Sequence, residues 1–405
     1  MFKIIRVPAI LNSFFGSLTS RFHWDHFEYF RWYVLAVGVT WGRRNVSNLC
    51  RQLRASTHRT RFNNFVQVGR WDAAACLRHK AEELLAQAGP AKGDTVYLIV
   101  DDSKLQKRGK TMEAVGYLHD PTTGRRVLAH QCVTAVIRYH GVVIPLGVRL
   151  YVKCEHAPAL GLPFRKTTQL AADLIREFEP PAGVKVVVLF DSYYLCPVVV
   201  SACREKGFHY ASTLKNNRNL FRDGRKMKAG RYGRNVYRRN RKRRLPGSGR
   251  RAAYYYVDAG WLDIGGLGPH HVVFSRKGRD PLLGIVTDHP KLSAAAILHT
   301  YAERWSIEVF FKDTKQLLGL GQYQNGTYRA AVTHLHLVCF AYALLTHLRL
   351  TGAQGKPKST RAATVSTSEV QNQLRRLVWR DLVAYLEEQP SGTSFVKELE
   401  QLLAA

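Results

Sequence analysis

The sequence predicts a mixed α/β fold, a β-sheet with helices packed on its faces, behind a helical N-terminal region. Two short apolar runs rich in β-branched residues carry that reading. TVYLIVDD, from Thr95, and VKVVVLFD, with its strand from Lys185 to Phe190, each stop at acid, at Asp101-Asp102 and at Asp191. Between them RRVLAHQCVTAVIRYH and GVVIPLGVRLYVK read as extended segments joined by a hairpin turn at His140-Gly141, and residues 164–178 read as a helix stopped before Pro180-Pro181. A helix from Pro197 to Lys206 and a short strand, FHYAST, follow. The order strand, strand, strand, helix, strand, helix, strand implies a mixed sheet covered by helices.

The flanking regions read as follows. With 405 residues, 46% hydrophobic and 11% aromatic, the chain is a folded protein of two or three domains. Residues 1–92 read as helical: WDHFEYFRWYVLAVGVTWG has a dense aromatic face, NVSNLCRQLR is a short helix, and Arg70 to Ala88 is amphipathic up to Gly89-Pro90. Arg43, Arg44, Arg51, Arg54, Arg59 and Arg61 lie in or near its turns, which suits a reader of DNA ends; a solubilising helical cap suits the same pattern. The first 22 residues are basic and partly apolar. Their apolar patches are broken by Pro8, Asn12 and Ser13, so they read as an amphipathic arm rather than a signal peptide.

Charge narrows the partners. A formal charge of +31 attracts polyanions, nucleic acid above all, and no uninterrupted apolar run reaches the length of a membrane span. The seven cysteines are scattered without a CxxC pair, which disfavours a disulfide framework or structural zinc and fits a reducing cytoplasm. His334 and His336 read as structural. From Arg222 to Arg251 a dense run of Arg and Lys is opposed by Asp223 alone, with Tyr232 and Tyr237 interleaved. Such a segment does not pack by itself and suits phosphates, through Arg238, Arg239, Arg241, Lys242, Arg243 and Arg244. Residues 253–287 read as strands, which sets the basic segment inside a β-rich insertion.

YAERWSIEVFFKDTKQLLGL, from Tyr301 to Leu320, reads as a single helix that stops at Gly319 and Gly321. At 100° per residue, Tyr301, Arg304, Glu308 and Lys315 share a stripe about 60° wide. A broadly apolar helix follows from about Tyr328 to Leu350, then a polar linker, KPKSTRAATVSTSE, and a final helix from Val370 to Leu386.

Three acids stand out by position. Asp101 and Asp191 each close an apolar strand, and Glu308 lies on a helix after the sheet. Neighbouring strands are about 4.8 Å apart, so acids at paired strand ends can meet. Clustered carboxylates repel one another unless a cation is bound, and an all-oxygen set without Cys or His favours Mg²⁺ or Mn²⁺. Two such ions suit phosphodiester chemistry. Of Asp101 and Asp102, alternation along a strand turns only one toward a site, and Asp101 is the one chosen here.

At this point a resemblance becomes specific. The segment T-D-(12)-Y-(2)-R-(3)-E-(6)-K-(3)-G-L, from Thr287 to Leu320, resembles the signature of bacterial insertion-sequence transposases that carry a Tyr-Arg-Glu-Lys motif. VDDS with the following KRGK resembles the family's first acidic block and VLFDSYY its second, so the likeness spans roughly residues 25–350. It implies an RNase H-like catalytic core split by an inserted β domain. It also implies that Asp101, Asp191 and Glu308 hold two Mg²⁺ ions and that Arg304 and Lys315 hold phosphates of the element's end beside Tyr301. Lys107 and Lys110, in the first block, are further candidate DNA contacts. Trp261 has two readings, a base-stacking residue of the insertion or a core residue. The implied layout is an N-terminal helical DNA-binding domain (1–92), the first part of the core (93–214), the basic β-rich insertion (215–287), the second part of the core (288–352), and a linker with a C-terminal helix (353–405). The partners implied are double-stranded DNA, both element ends and target, held by a homodimer in the DNA complex, with no membrane and no small-molecule cofactor.

Overall fold

The computed structural model of the chain describes residues 3–53, 59–120, 123–246, 253–352 and 365–388. Arg54, Arg250, Arg251, most of the expected linker and the end of the chain lie outside the described residues.

The N-terminal helices are α1 (Asn12–Gly16), α2 (Trp24–Val39), α3 (Val46–Arg51), α4 (Arg59–Val68) and α5 (Ala73–Ala88). Local chemistry sets α5 at both ends. The Asp72 carboxylate accepts the Ala75 N–H at 2.9 Å, and Gly89 leaves the helix in the left-handed region with φ of 70°. The N-terminal arm folds into the core, with Phe14, Phe15 and Leu18 fully buried.

The central elements are β1 (Thr95–Gln106), β2 (Gly116–Asp120), β3 (Arg125–Tyr139), β4 (Val142–Tyr151), α6 (Thr167–Arg176), β5 (Lys185–Phe190), α7 (Pro197–Glu205) and β6 (His209–Leu214). The β3–β4 turn has positive φ at both His140 and Gly141, the twist a two-residue hairpin demands. Strand β3 pairs antiparallel with β4 and with β1, whereas β1, β5 and β6 are mutually parallel. With α6 and α7 on its connections, this is the RNase H-like arrangement.

The insertion consists of β7 (Asn219–Arg222), β8 (Arg225–Lys228), α8 (Ala229–Arg239), β9 (Arg243–Leu245), β10 (Tyr254–Ile264), β11 (Gly268–Lys277) and β12 (Leu283–Thr287). It prolongs the central sheet, because β12 pairs antiparallel with β6 and the order runs β2-β3-β1-β5-β6-β12-β11-β10-β7-β8. The remaining helices are α9 (Ala294–Ala302), α10 (Trp305–Leu317), α11 (Tyr328–Gly352) and α12 (Thr367–Glu387). By length and composition α11 could cross a membrane, yet here it is a core helix enclosed by α2, α4, α5, α12 and β4.

Four expectations are corrected. Strand β1 does not stop at its acids but runs on to Gln106, because the long β3 continues to offer partners from Asp101↔Thr134 to Gln106↔Ala129. Ser103 and Leu105, read as loop, alternate inward and are buried. The basic segment is not without structure of its own: Ala229–Arg239 is helical, seated through Ala229, Gly230, Tyr232 and Gly233. The single helix from Tyr301 breaks in two at Glu303-Arg304. There the N–H groups of Glu303, Arg304, Ser306 and Ile307 bond three residues back rather than four, while Glu303 is drawn to Arg138 on β3 at 2.9 Å. Finally, Trp261 is not a core residue: it is 48% exposed on β10, its ring 5.7 Å from that of His271.

Candidate active site

The register of β1 and β5 brings the first two acids together. The last paired residues are Ile99 and Leu189, and two residues further along each strand stand Asp101 and Asp191. Side chains two apart share a face, so both carboxylates emerge where β5 ends, on chain segments about 4.8 Å apart. The Asp191 carboxylate accepts the N–H of Tyr193 at 2.8 Å and of Tyr194 at 3.4 Å, and the Ser212 hydroxyl on β6 donates to the Asp191 carbonyl at 3.0 Å. Asp102 faces the other way, accepting from the Tyr194 hydroxyl at 2.9 Å and the Gln131 amide at 2.6 Å.

Helix α10 supplies the third acid through Arg304. Its Nη1 donates to Asp101 Oδ2 at 2.7 Å and its Nη2 to Glu308 Oε1 at 3.2 Å, so one guanidinium joins the helix to β1. Tyr301, on the last turn of α9, lies beside it with its ring 6.0 Å from the guanidinium and its hydroxyl 3.5 Å from Thr213 Oγ1. Lys315 and Lys312 are exposed further along α10.

The electrostatics follow from burial. Burial raises the Asp101 pKa to about 7 against the pull of Arg304 and the Asp102 N–H, and the like charges of Asp191 and Asp102 add to the rise. Burial also raises Asp191, against the pull of its two backbone N–H groups and Arg304. For Arg304 burial works against the charge, but Tyr301, Asp101 and Glu308 outweigh it and raise its pKa. The site is therefore short of positive charge. Among the described residues no three His, Cys, Asp or Glu side chains are gathered closely enough to hold a metal. Instead the Arg304 cation stands between Asp101 and Glu308, where a hard divalent cation would suit the same all-oxygen donors.

The other anticipated contacts fare differently. Lys110, Arg238, Arg239, Arg241, Lys242, Arg243 and Arg244 are exposed. The Lys107 ammonium is engaged inside the protein: it donates to the Gly321 carbonyl at 2.6 Å and that of Tyr323 at 3.2 Å, and burial lowers its pKa to about 7. It ties the end of β1 to the loop after α10. Trp305, passed over in the sequence, is 65% exposed at the head of α10, one turn from Glu308. Its neighbour Arg304 was the signal that pointed to it.

A sheet of this order, with carboxylates at adjoining positions of its central parallel strands, defines a core of the RNase H-like class. The family model described as DDE superfamily endonuclease matches residues 13–255, well over half of the chain, and the protein belongs to that family. The matched span contains Asp101 and Asp191 and ends before Glu308. Among curated proteins none matches the chain.

Two predictions follow from the charges. A carboxyl whose pKa is raised on folding makes the folded state bind more protons than the unfolded one, so stability falls as pH rises from about 4 to 7. In metal-free buffer, Asp101→Asn should remove part of that decline, melting above the wild type at pH 8 but not at pH 4. Mg²⁺ should raise the wild-type melting temperature at pH 8 and leave the variant's nearly unchanged; equal responses in differential scanning calorimetry would refute a cation-seeking Asp101. Lys107→Met should cost about 1–3 kcal/mol in urea unfolding through lost charged hydrogen bonds. The same variant should leave the salt dependence of DNA binding unchanged; a slope lowered by about one would make Lys107 a phosphate contact instead.

Proposed function

We propose that the protein is an insertion-sequence transposase of the Tyr-Arg-Glu-Lys group, which cleaves DNA at the element's terminal inverted repeats and joins the freed 3′-hydroxyls to target DNA. The observation that carries this reading is the Arg304 guanidinium shared by Asp101 and Glu308, which sets the signature helix against the acidic positions of the sheet. Asp101, Asp191 and Glu308 would hold two Mg²⁺ ions, with Mn²⁺ an alternative. When bound, such ions activate a water or 3′-hydroxyl and stabilise the leaving oxygen.

The chain's own residues do the rest. Arg304 exchanges carboxylates for phosphate oxygens of the DNA end, a trade a planar guanidinium suits. Lys315 adds a point charge along the same helix, and Tyr301 packs against the guanidinium and limits its swing. Trp305 offers a bare aromatic face beside the acids on which a base can stack. Both element ends are processed together, so a homodimer on DNA is expected, acting in the cytoplasm. The N-terminal helices and the exposed basic residues of the insertion hold the duplex outside the site.

A second reading is an endonuclease without strand transfer, favoured by the description of the matched family. Integration into a supercoiled plasmid separates the two, since only the transposase yields joined products. On a labelled terminal-repeat duplex with Mg²⁺, Asp101→Asn, Asp191→Asn and Glu308→Gln should each lower cleavage on the order of a thousandfold while retaining binding. Arg304→Ala should weaken the end complex and lower its salt slope by about one. Undiminished cleavage by Glu308→Gln would refute the assignment.

A further inference from the structure

The outer face of α8 carries a pattern that phosphate attraction alone does not account for. Turning about 100° per residue from Arg231, Arg238 falls within about 20° of it, Arg234 and Asn235 lie about 60° and 40° to either side, and Arg239 lies at the edge. All five are exposed, and among the described residues none of their side chains makes a hydrogen bond or ion pair. The packed side carries Tyr232, Val236 and Tyr237 around a centre of small residues. A Cβ added to Gly233 would stand 2.4 Å from the Phe274 ring, and one on Gly230 would stand 3.0 Å from Asn216, so the helix backbone lies flat on the insertion's strands. Seated so low, α8 presents one clean stripe of three arginines and an asparagine.

We propose that α8 is a recognition helix that enters the major groove of duplex DNA and reads bases through Arg231, Arg234, Asn235 and Arg238. A helix with its side chains is about 10–12 Å across and the groove about 12 Å wide. Arg pairs in bidentate fashion with the guanine major-groove edge, and Asn with adenine. Arg231 to Arg238 spans about 10 Å, the rise of about three base-pair steps. The lack of acids on the stripe suits DNA and disfavours a second copy of this equally basic face. Arg239, with Arg241, Lys242, Arg243 and Arg244 beyond the helix, then flanks the groove as phosphate contacts.

The placement relative to the acids is fixed by the chain. The Ala229 and Gly230 N–H groups donate to the carbonyls of Arg218 and Asn216 at 2.8 and 2.9 Å, and Arg218 donates to the Leu195 carbonyl in the turn after Asp191. Helix α8 packs over β12 and β10, two to four strands along the sheet from β5. At about 4.8 Å per strand it lies about 10–19 Å from Asp191 in that direction, which corresponds to some three to six base pairs. Helix α8 therefore reads a block a few base pairs from the point of cleavage.

The inference deepens the DNA-processing reading and rests on it only for the identity of the partner. Its test is selection from duplexes with a randomised centre by the full-length protein in EDTA, repeated with Asn235→Ala and Arg238→Ala. The wild type should enrich a block of three or four adjacent base pairs. Each variant should lose about tenfold or more in preference at one of them. Asn235 carries no charge, so Asn235→Ala should change preference with an unaltered salt slope, whereas Arg239→Ala should weaken all sequences alike and lower the slope by about one. Methylation of guanine N7 within the block should block binding. The inference is overturned if the variants, melting like the wild type, select the wild-type sequence, if methylation at N7 is harmless, or if the wild type enriches nothing. Selection proceeds without cleavage, so loss of the strand-transfer reading leaves this outcome standing, and an active enzyme with no α8-dependent preference sinks only the helix.

Discussion

The contact on which the site depends is the double ion pair of Arg304. It joins residues 203 positions apart in the chain, and with 16% of its side chain exposed the guanidinium is largely removed from water. A charge held there is costly unless its partners are close and well aligned. Both partners are acids on different elements, so satisfying the guanidinium and docking α10 on β1 are one event. The other end of α10 is held as firmly: the Leu317 carbonyl, free at the helix end, accepts from Arg44 and from Gln371 of α12. Helix α10 is thus fixed at its head by charge and at its tail by capping, which leaves Glu308 little choice of position.

The sheet converts local register into the geometry of a site. Parallel pairing of β1 and β5 ends at Ile99 and Leu189, and that boundary opens the space into which Asp101 and Asp191 project. A one-residue slip would turn one acid to the opposite face, where Tyr194 and Gln131 now hold Asp102. Because β12 pairs with β6, the insertion shares this frame, and its helix is placed relative to the acids through hydrogen bonds rather than a hinge.

Much of this was legible in the residues themselves. The β-branched runs before Asp101 and Asp191 form the two strands expected, the His140-Gly141 turn closes its hairpin, and each acid stands two residues past the last β1–β5 pair because alternation and register are local rules. The misreadings all arose from distant partners. Where β1 stops is decided by β3, the break at Glu303-Arg304 by Arg138 and Asp101, and the helicity of Ala229–Arg239 by the Phe274 surface on which Gly233 sits. Lys107 reads as a DNA-facing lysine in a basic loop until the carbonyls of Gly321 and Tyr323 claim it. Composition announced a basic face but could not show that Arg231, Arg234, Asn235 and Arg238 line up, since that alignment presupposes the helix.

The same contact explains how an acidic pocket survives in a protein of +31 net charge. Unneutralised, Asp101, Asp191 and Glu308 at this end of the sheet would repel an incoming phosphate as well as one another. A cation carried by the protein removes part of that repulsion, and a guanidinium does so with a planar fork of the kind that also suits phosphate. On the proposed reading, phosphate oxygens would compete for Arg304, the acids would lose their internal counter-charge, and their demand for external cations would rise as a scissile bond arrives. Coupling of this kind costs the protein only a helix that begins one residue after its arginine, and that is the position at which the chain departs from the uninterrupted helix its sequence predicts.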